Sequence, residues 1–155
     1  MERNLNKSNL IYIRADSSLQ IGSGHIERCI TLSKELKKKG MKVNFICRSL
    51  DGSMERRIKN EGFGIKVLPN FKNTSKKFDK NIKNNHKTWL GPDWRVDAHH
   101  TIRLILKDKP KLLILDHYGI NINWENLVKS LTGVKIMVID GLANRRHNCE
   151  ILLDY

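Results

Sequence analysis

The residues best suited to chemistry are His25, which closes the run Arg14-Ala15-Asp16-Ser17-Ser18-Leu19-Gln20-Ile21-Gly22-Ser23-Gly24-His25, and the later polar pair Asp116-His117 and Asp140. An imidazole that is neutral near pH 7 can take a proton from water. Ile26, Cys29, Ile30, Ser33 and Leu36 recur downstream at helical spacing, so His25 opens an amphipathic helix just after a Gly-x-Gly turn. The first turn of a helix carries unpaired N–H groups and the positive end of the macrodipole. It welcomes an anion and disfavours an imidazolium. The combination points to a general base beside an anion-binding turn. The plainer alternative is a tight strand-to-helix turn whose first-turn polar residue is a histidine.

Two familiar glycine loops fit poorly. A dinucleotide turn needs a third Gly or Ala where this chain has Glu27, and an acidic residue where the second strand ends in Cys47-Arg48. The phosphate loop G-x-x-x-x-G-K-[ST] does not occur. Metal-ligand spacing is missing too, since His99 and His100 are adjacent and His117, His147 and Cys149 match no recognised pattern. No metal or other cofactor is therefore expected.

The elements that must position these groups follow from the apolar pattern. Strands are expected over residues 10–13, 43–47, 65–68, 112–115, 134–139 and 149–155. Helices are expected from His25 to a stop at Gly40, from Asp51-Gly52-Ser53 through Met54 and Ile58 to about Gly62, around Ala98, Ile102, Ile105 and Leu106, and from Trp124 to Leu131. Alternating strands and helices predict a single α/β domain over residues 1–155, a Rossmann-like parallel sheet with helices on both faces. In such a sheet ligands bind at the carboxyl ends of the strands. His25, Asp116, His117 and Asp140 then share one rim, although a strand-end Asp is more often a cap or turn residue. A Lys/Asn-rich loop spans about 69–88. It leads to Trp89 and Trp94 around Gly91-Pro92, which suit a pocket wall or an anchor to the core.

The chain carries 29 Lys+Arg against 16 Asp+Glu, a net charge of +13. That excess favours an anionic partner. With 6% aromatic residues and no alternating basic and aromatic strand, nucleic acid is the lesser expectation. Three unpatterned cysteines, two within apolar runs, suit the reducing cytoplasm. The N-terminus has no secretory core, and no apolar run nears the ~20 residues needed to span a bilayer, so no membrane partner is expected.

A series of strings is similar to the N-terminal half of the UDP-sugar hydrolases of the pseudaminic acid pathway. They are Arg14-Ala15-Asp16 through Gly22-Ser23-Gly24-His25 to Arg28-Cys29; Trp89-Leu90-Gly91 with Trp94 and Asp97-Ala98; Asp116-His117-Tyr118 with Trp124-Glu125; and Val138-Ile139-Asp140 through Arg145 to Leu152-Leu153-Asp154. That family resembles the two-domain GT-B glycosyltransferases, including the peptidoglycan N-acetylglucosaminyltransferase. The resemblance implies metal-independent hydrolysis of UDP-2,4-diacetamido-2,4,6-trideoxy-β-L-altropyranose, with inversion and His25 as general base. It also implies a substrate site drawn from Arg14, Asp16, Gly22, Ser23, Gly24, Trp89, Trp94, Asp97, Asp116, His117, Tyr118 and Asp140. Two positions depart from the family's Asp-Asp-Leu-Ala-Asp-Arg, because Gly141 and Asn144 each replace a carboxylate. The nucleotide-binding C-terminal domain of the family is expected to be absent, and a separately encoded polypeptide is a candidate partner beside the UDP-sugar. The competing readings are a sugar-nucleotide transferase of the same fold and a non-catalytic basic binding module.

Overall fold

The computed structural model describes residues 8–70, 86–91 and 93–155. Six strands, β1 (Leu10–Ala15), β2 (Lys42–Arg48), β3 (Gly64–Leu68), β4 (Leu112–Asp116), β5 (Lys135–Asp140) and β6 (Ile151–Asp154), form one sheet in the order β3-β2-β1-β4-β5-β6. Every neighbouring pair is parallel. Parallel neighbours need crossovers, and the described ones are α1 (Gly24–Lys38), α2 (Glu55–Asn60), α3 (Trp94–Asp108) and α4 (Ile122–Thr132). A 3-10 helix, His86–Leu90, precedes α3. No helix among the described residues is long and apolar enough to cross a membrane.

Each face of the sheet has its own core, because successive strand residues point to opposite sides. Ile11, Ile13, Val43, Phe45 and Ile114 pack with Ile26, Cys29 and Ile30 of α1 and Ile58 of α2. Tyr12, Ile46, Leu113, Leu115, Ile136 and Val138 pack with Ala98, Ile102 and Ile105 of α3 and with Trp124 and Val128 of α4. The sheet is thus covered on both sides, as the near-continuous apolar runs of β1 and β4 require.

Helix ends follow local rules. At the end of α1 the Met41 N–H donates to the Leu36 carbonyl and the Gly40 N–H to that of Lys37, with Gly40 at φ 78°. These bonds close orphan carbonyls, and the left-handed residue they require is the glycine the sequence supplies. Asp93 caps α3 by accepting from the Arg95 N–H, so α3 starts four residues before Ala98.

Several elements differ from the sequence expectation. β1 runs on through Arg14 and Ala15 because Arg14 finds buried carboxylates at the end of the strand. α2 is shorter than its pattern, since Asp51-Gly52 turns before it with Gly52 at φ 79°. Leu106 lies outside the buried stripe of Ala98, Thr101, Ile102 and Ile105 and is 52% exposed. β6 is a short, exposed edge strand. Most of the Lys/Asn-rich loop, with Lys76-Lys77, and Pro92 of the expected turn lie outside the described residues. The last residues of that loop, from His86, belong to the 3-10 helix.

Leu113 is fully buried in central strand β4. Leu113→Ala should cost about 2–5 kcal/mol through lost burial and the cavity left behind. Equilibrium urea unfolding should show a lower midpoint with an unchanged slope.

Candidate active site

The order of the sheet reverses between β1 and β4, where the following helices leave on opposite faces and open a crevice at the carboxyl ends. The loops after these two strands bring the predicted histidine and a carboxylate together. His25 Nδ1 lies 2.7 Å from Asp116 Oδ1. A carboxylate only accepts, so Nδ1 carries a proton and Nε2 is the ring nitrogen not engaged by Asp116. Arg28, one turn further along α1, donates to the same carboxylate through Nε and through Nη2, the latter at 2.6 Å. Nη2 also stands 3.1 Å from His25 Nδ1, but with that nitrogen's proton committed to Asp116 this is a contact and not a bond. Burial opposes charge on Asp116, yet the hydrogen bonds from Arg28 and His25 outweigh it and hold the carboxyl below its ordinary range. Burial, reinforced by the Asp116 charge, pushes the Cys29 thiol up, so Cys29 serves as a thiol donor 3.4 Å from Oδ2.

Beneath this pair lies a second, fully buried layer. Arg14 binds Asp16 through two nitrogens at 2.6 and 2.8 Å and Asp97 at 2.8 Å. Arg48 Nη2 reaches Asp97 at 2.7 Å, and the Arg48 backbone N–H donates to Asp16 at 2.7 Å. Trp124 Nε1 donates to Asp97 at 3.1 Å. The Gly119 N–H donates to His117 Nδ1, which leaves Nε2 protonated to donate to Asp16 at 3.1 Å. Burial lowers the pKa of His117 more than its bond to Asp16 raises it. Burial works against charge on Asp16 and Asp97 as well, but the Arg14 guanidinium overrides it and both sit below the usual carboxylate range.

An aromatic wall stands over His25. The 3-10 helix sets Trp89 edge-on to His25 with ring centres 5.8 Å apart, while Tyr118 meets His25 edge-on at 4.6 Å. His86 packs against both Trp89 and Tyr118. The close approach depends on Gly119, where a Cβ would lie 2.8 Å from the His86 carbonyl oxygen. Tyr155 hydrogen-bonds Tyr118, covers Arg28 at 4.5 Å and lies over Gly141, where a Cβ would stand 2.7 Å from its ring. A carboxylate at position 141 is incompatible with that placement.

The remaining expected residues fall as follows. Gly22 has φ 82° and Ser23 occupies the N-cap of α1 without a side-chain cap bond. A Cβ at Gly24 would meet nothing within 4 Å. Trp94 packs on the core, partly buried. Asp140 accepts from the Leu142 and Ala143 N–H groups and, at 2.9 Å, from Arg145, which makes it the organiser of its own turn. Among the described residues no group of three or more His, Cys, Asp or Glu is placed to hold a metal. The sequence reading gave no role to Arg28, Arg48, His86 or Tyr155. Only Arg28 carried a local signal, its i,i+3 spacing from His25 on one helix face.

No family model matches the chain. Over 144 residues, 93% of its length, the chain is 33% identical to the UDP-2,4-diacetamido-2,4,6-trideoxy-beta-L-altropyranose hydrolase of Campylobacter jejuni subsp. jejuni serotype O:2. The chain spans 40% of the length of that hydrolase.

The pKa directions set a pH dependence of stability. Asp16, Asp97 and Asp116 are depressed in the folded state, so their contribution is complete above about pH 4, the ordinary carboxylate range, and is lost as pH falls below it. His117 is depressed too, so below about pH 6.5 the unfolded chain takes up a proton that the folded chain does not, and stability falls. Urea midpoints should be level from about pH 8 to 7, decline below about 6.5 and drop steeply below about 4. A midpoint that rises on acidification from neutrality would contradict this assignment.

Proposed function

We propose that this chain is the base-bearing part of a UDP-sugar hydrolase acting on UDP-2,4-diacetamido-2,4,6-trideoxy-β-L-altropyranose in the cytoplasm. The observation that carries the reading is the His25–Asp116 pair at the crevice between β1 and β4, in a chain related along 93% of its length to a hydrolase of that name. His25 Nε2 takes a proton from water as the water oxygen forms its bond to the anomeric carbon. The bond from that carbon to the phosphate oxygen breaks on the opposite side, UDP leaves with the electron pair, and the anomeric configuration inverts. Asp116 steadies the imidazolium formed in the step. The N-terminus of α1, with open space beside Gly24, favours the negative charge that develops on the leaving diphosphate. The aromatic wall of Trp89, Tyr118 and His86 gives the sugar an apolar face and limits the access of bulk water to His25. The part of the relative that this chain does not span would supply the nucleotide-binding domain of a GT-B-type enzyme.

The test is proton NMR of the sugar nucleotide incubated with the chain alone and with the chain fused to the unmatched part of the Campylobacter hydrolase. UDP and free sugar should appear, the first-formed anomer being the inverted one. His25→Asn should slow release by roughly 10²- to 10⁴-fold with circular dichroism unchanged. An intact sugar nucleotide in both arrangements, or an undiminished rate for the variant, would reject the reading. Transfer to an added acceptor sugar in place of water would mark a transferase instead.

A further inference from the structure

Asp116 is one fully buried carboxylate bound by three residues of the same helix, of which Cys29 brings a neutral thiol and His25 and Arg28 bring groups that can carry positive charge. An aspartate paired only with a histidine favours the protonated ring, since an opposite charge within hydrogen-bonding distance stabilises the imidazolium. A ring already protonated at rest has no lone pair with which to accept a proton. The Arg28 guanidinium lies on the same carboxylate by two nitrogens, a forked geometry that fixes the plane of the carboxylate as well as offsetting its charge. Its own place is set by Tyr155, whose ring centre is 4.5 Å from the guanidinium carbon.

The other groups around His25 leave this balance to Arg28 and Asp116. Cys29, from α1, is held as a thiol by burial. His86, from the 3-10 helix, is kept toward its neutral form by burial and by the Arg145 charge. Tyr155 has its phenol pushed up to about 12 by burial and its bond to Tyr118, and is neutral at working pH. Trp89 and Tyr118 contribute ring edges and faces. Arg145 is committed to Asp140 and the Ile120 carbonyl.

We propose that Arg28 is a positioning residue that clamps Asp116 and offsets its charge, so that Asp116 orients the His25 ring while the ring stays a proton acceptor at neutral pH. The inference rests on His25 acting as the base, and it adds the device that keeps the base ready. It also accounts for an arginine at this position, because a lysine keeps the charge but cannot make the forked contact.

The experiment is a nitrogen-15 NMR titration of the His25 ring in the chain as it stands and in three variants. Arg28→Gln should raise the protonation midpoint of His25 by about one pH unit, as expected when a neighbouring carboxylate loses its counter-charge. Arg28→Met should do the same and serves if Arg28→Gln does not fold. Arg28→Lys should restore the original midpoint. In the hydrolysis assay the acidic limb of the kcat/KM profile should move up with the NMR midpoint. A midpoint that stays put or falls in the neutral variants, even alongside a lower rate, overturns the proposal and leaves Arg28 a packing role. The titration needs no turnover, so a failed hydrolysis reading and a failed role for Arg28 give different results.

Discussion

Burying charge is costly unless each charge finds a partner, and this fold hangs on one place where that condition is met. Asp97, at the start of α3, accepts from Arg14 at the end of β1, Arg48 at the end of β2 and Trp124 on α4. Asp16 completes the set by holding Arg14, the Arg48 backbone and His117. Removing one member would strand the others without water, a loss on the order of 3–5 kcal/mol for a buried pair. Two strand ends, two helices and the turn after β4 are therefore tied at one level, and the loops above them inherit their positions from it.

The consequence is a division of labour between neighbouring histidines. His117 is held from below by Asp16 and from the side by the Gly119 N–H, so its proton sits on Nε2 and its ring is used up in structure. His25 is held by Asp116 through Nδ1, which leaves Nε2 as the basic atom. Asp116 and His117 are adjacent at the end of β4 and point to opposite layers, as strand geometry requires. One strand end thus serves the rim with its carboxylate and the foundation with its imidazole.

Much of this was legible locally. The apolar runs of β1, β2, β4 and β5, the stop at Gly40 and the opening of α1 near His25 depend on nearest neighbours, and the sequence showed them. The convergence of His25 and Asp116 followed from the rule that parallel sheets present their loops at one end. What was not legible came from distant partners. Arg14 reads as a polar strand terminator until Asp97, 83 residues away, is placed beside it. Arg48 reads in the sequence only as a basic residue where a dinucleotide site would need an acidic one, and nothing near Tyr155 announces that its ring covers Arg28 and Gly141. Trp89 and Trp94 flank one turn in the sequence, but the 3-10 helix sends the first to the site while the second packs on the core.

The position of β1 also bears on how the chain comes off the ribosome. β1 is made first and lies at the centre of the sheet, with β2 on one side and β4 on the other. Ile11 pairs with Leu112, so at about 5–20 residues per second one edge of β1 waits roughly 5–20 s for its partner to be synthesised. No hairpin shortens the delay, because every pairing in this sheet is parallel. During that interval Asp16 and His25 already exist, but their partners, His117 just after β4 and Asp116 at its end, do not. The nascent chain passes through a stage with an apolar strand edge open to other chains, and the protonation chemistry of the site is assembled only when that edge closes.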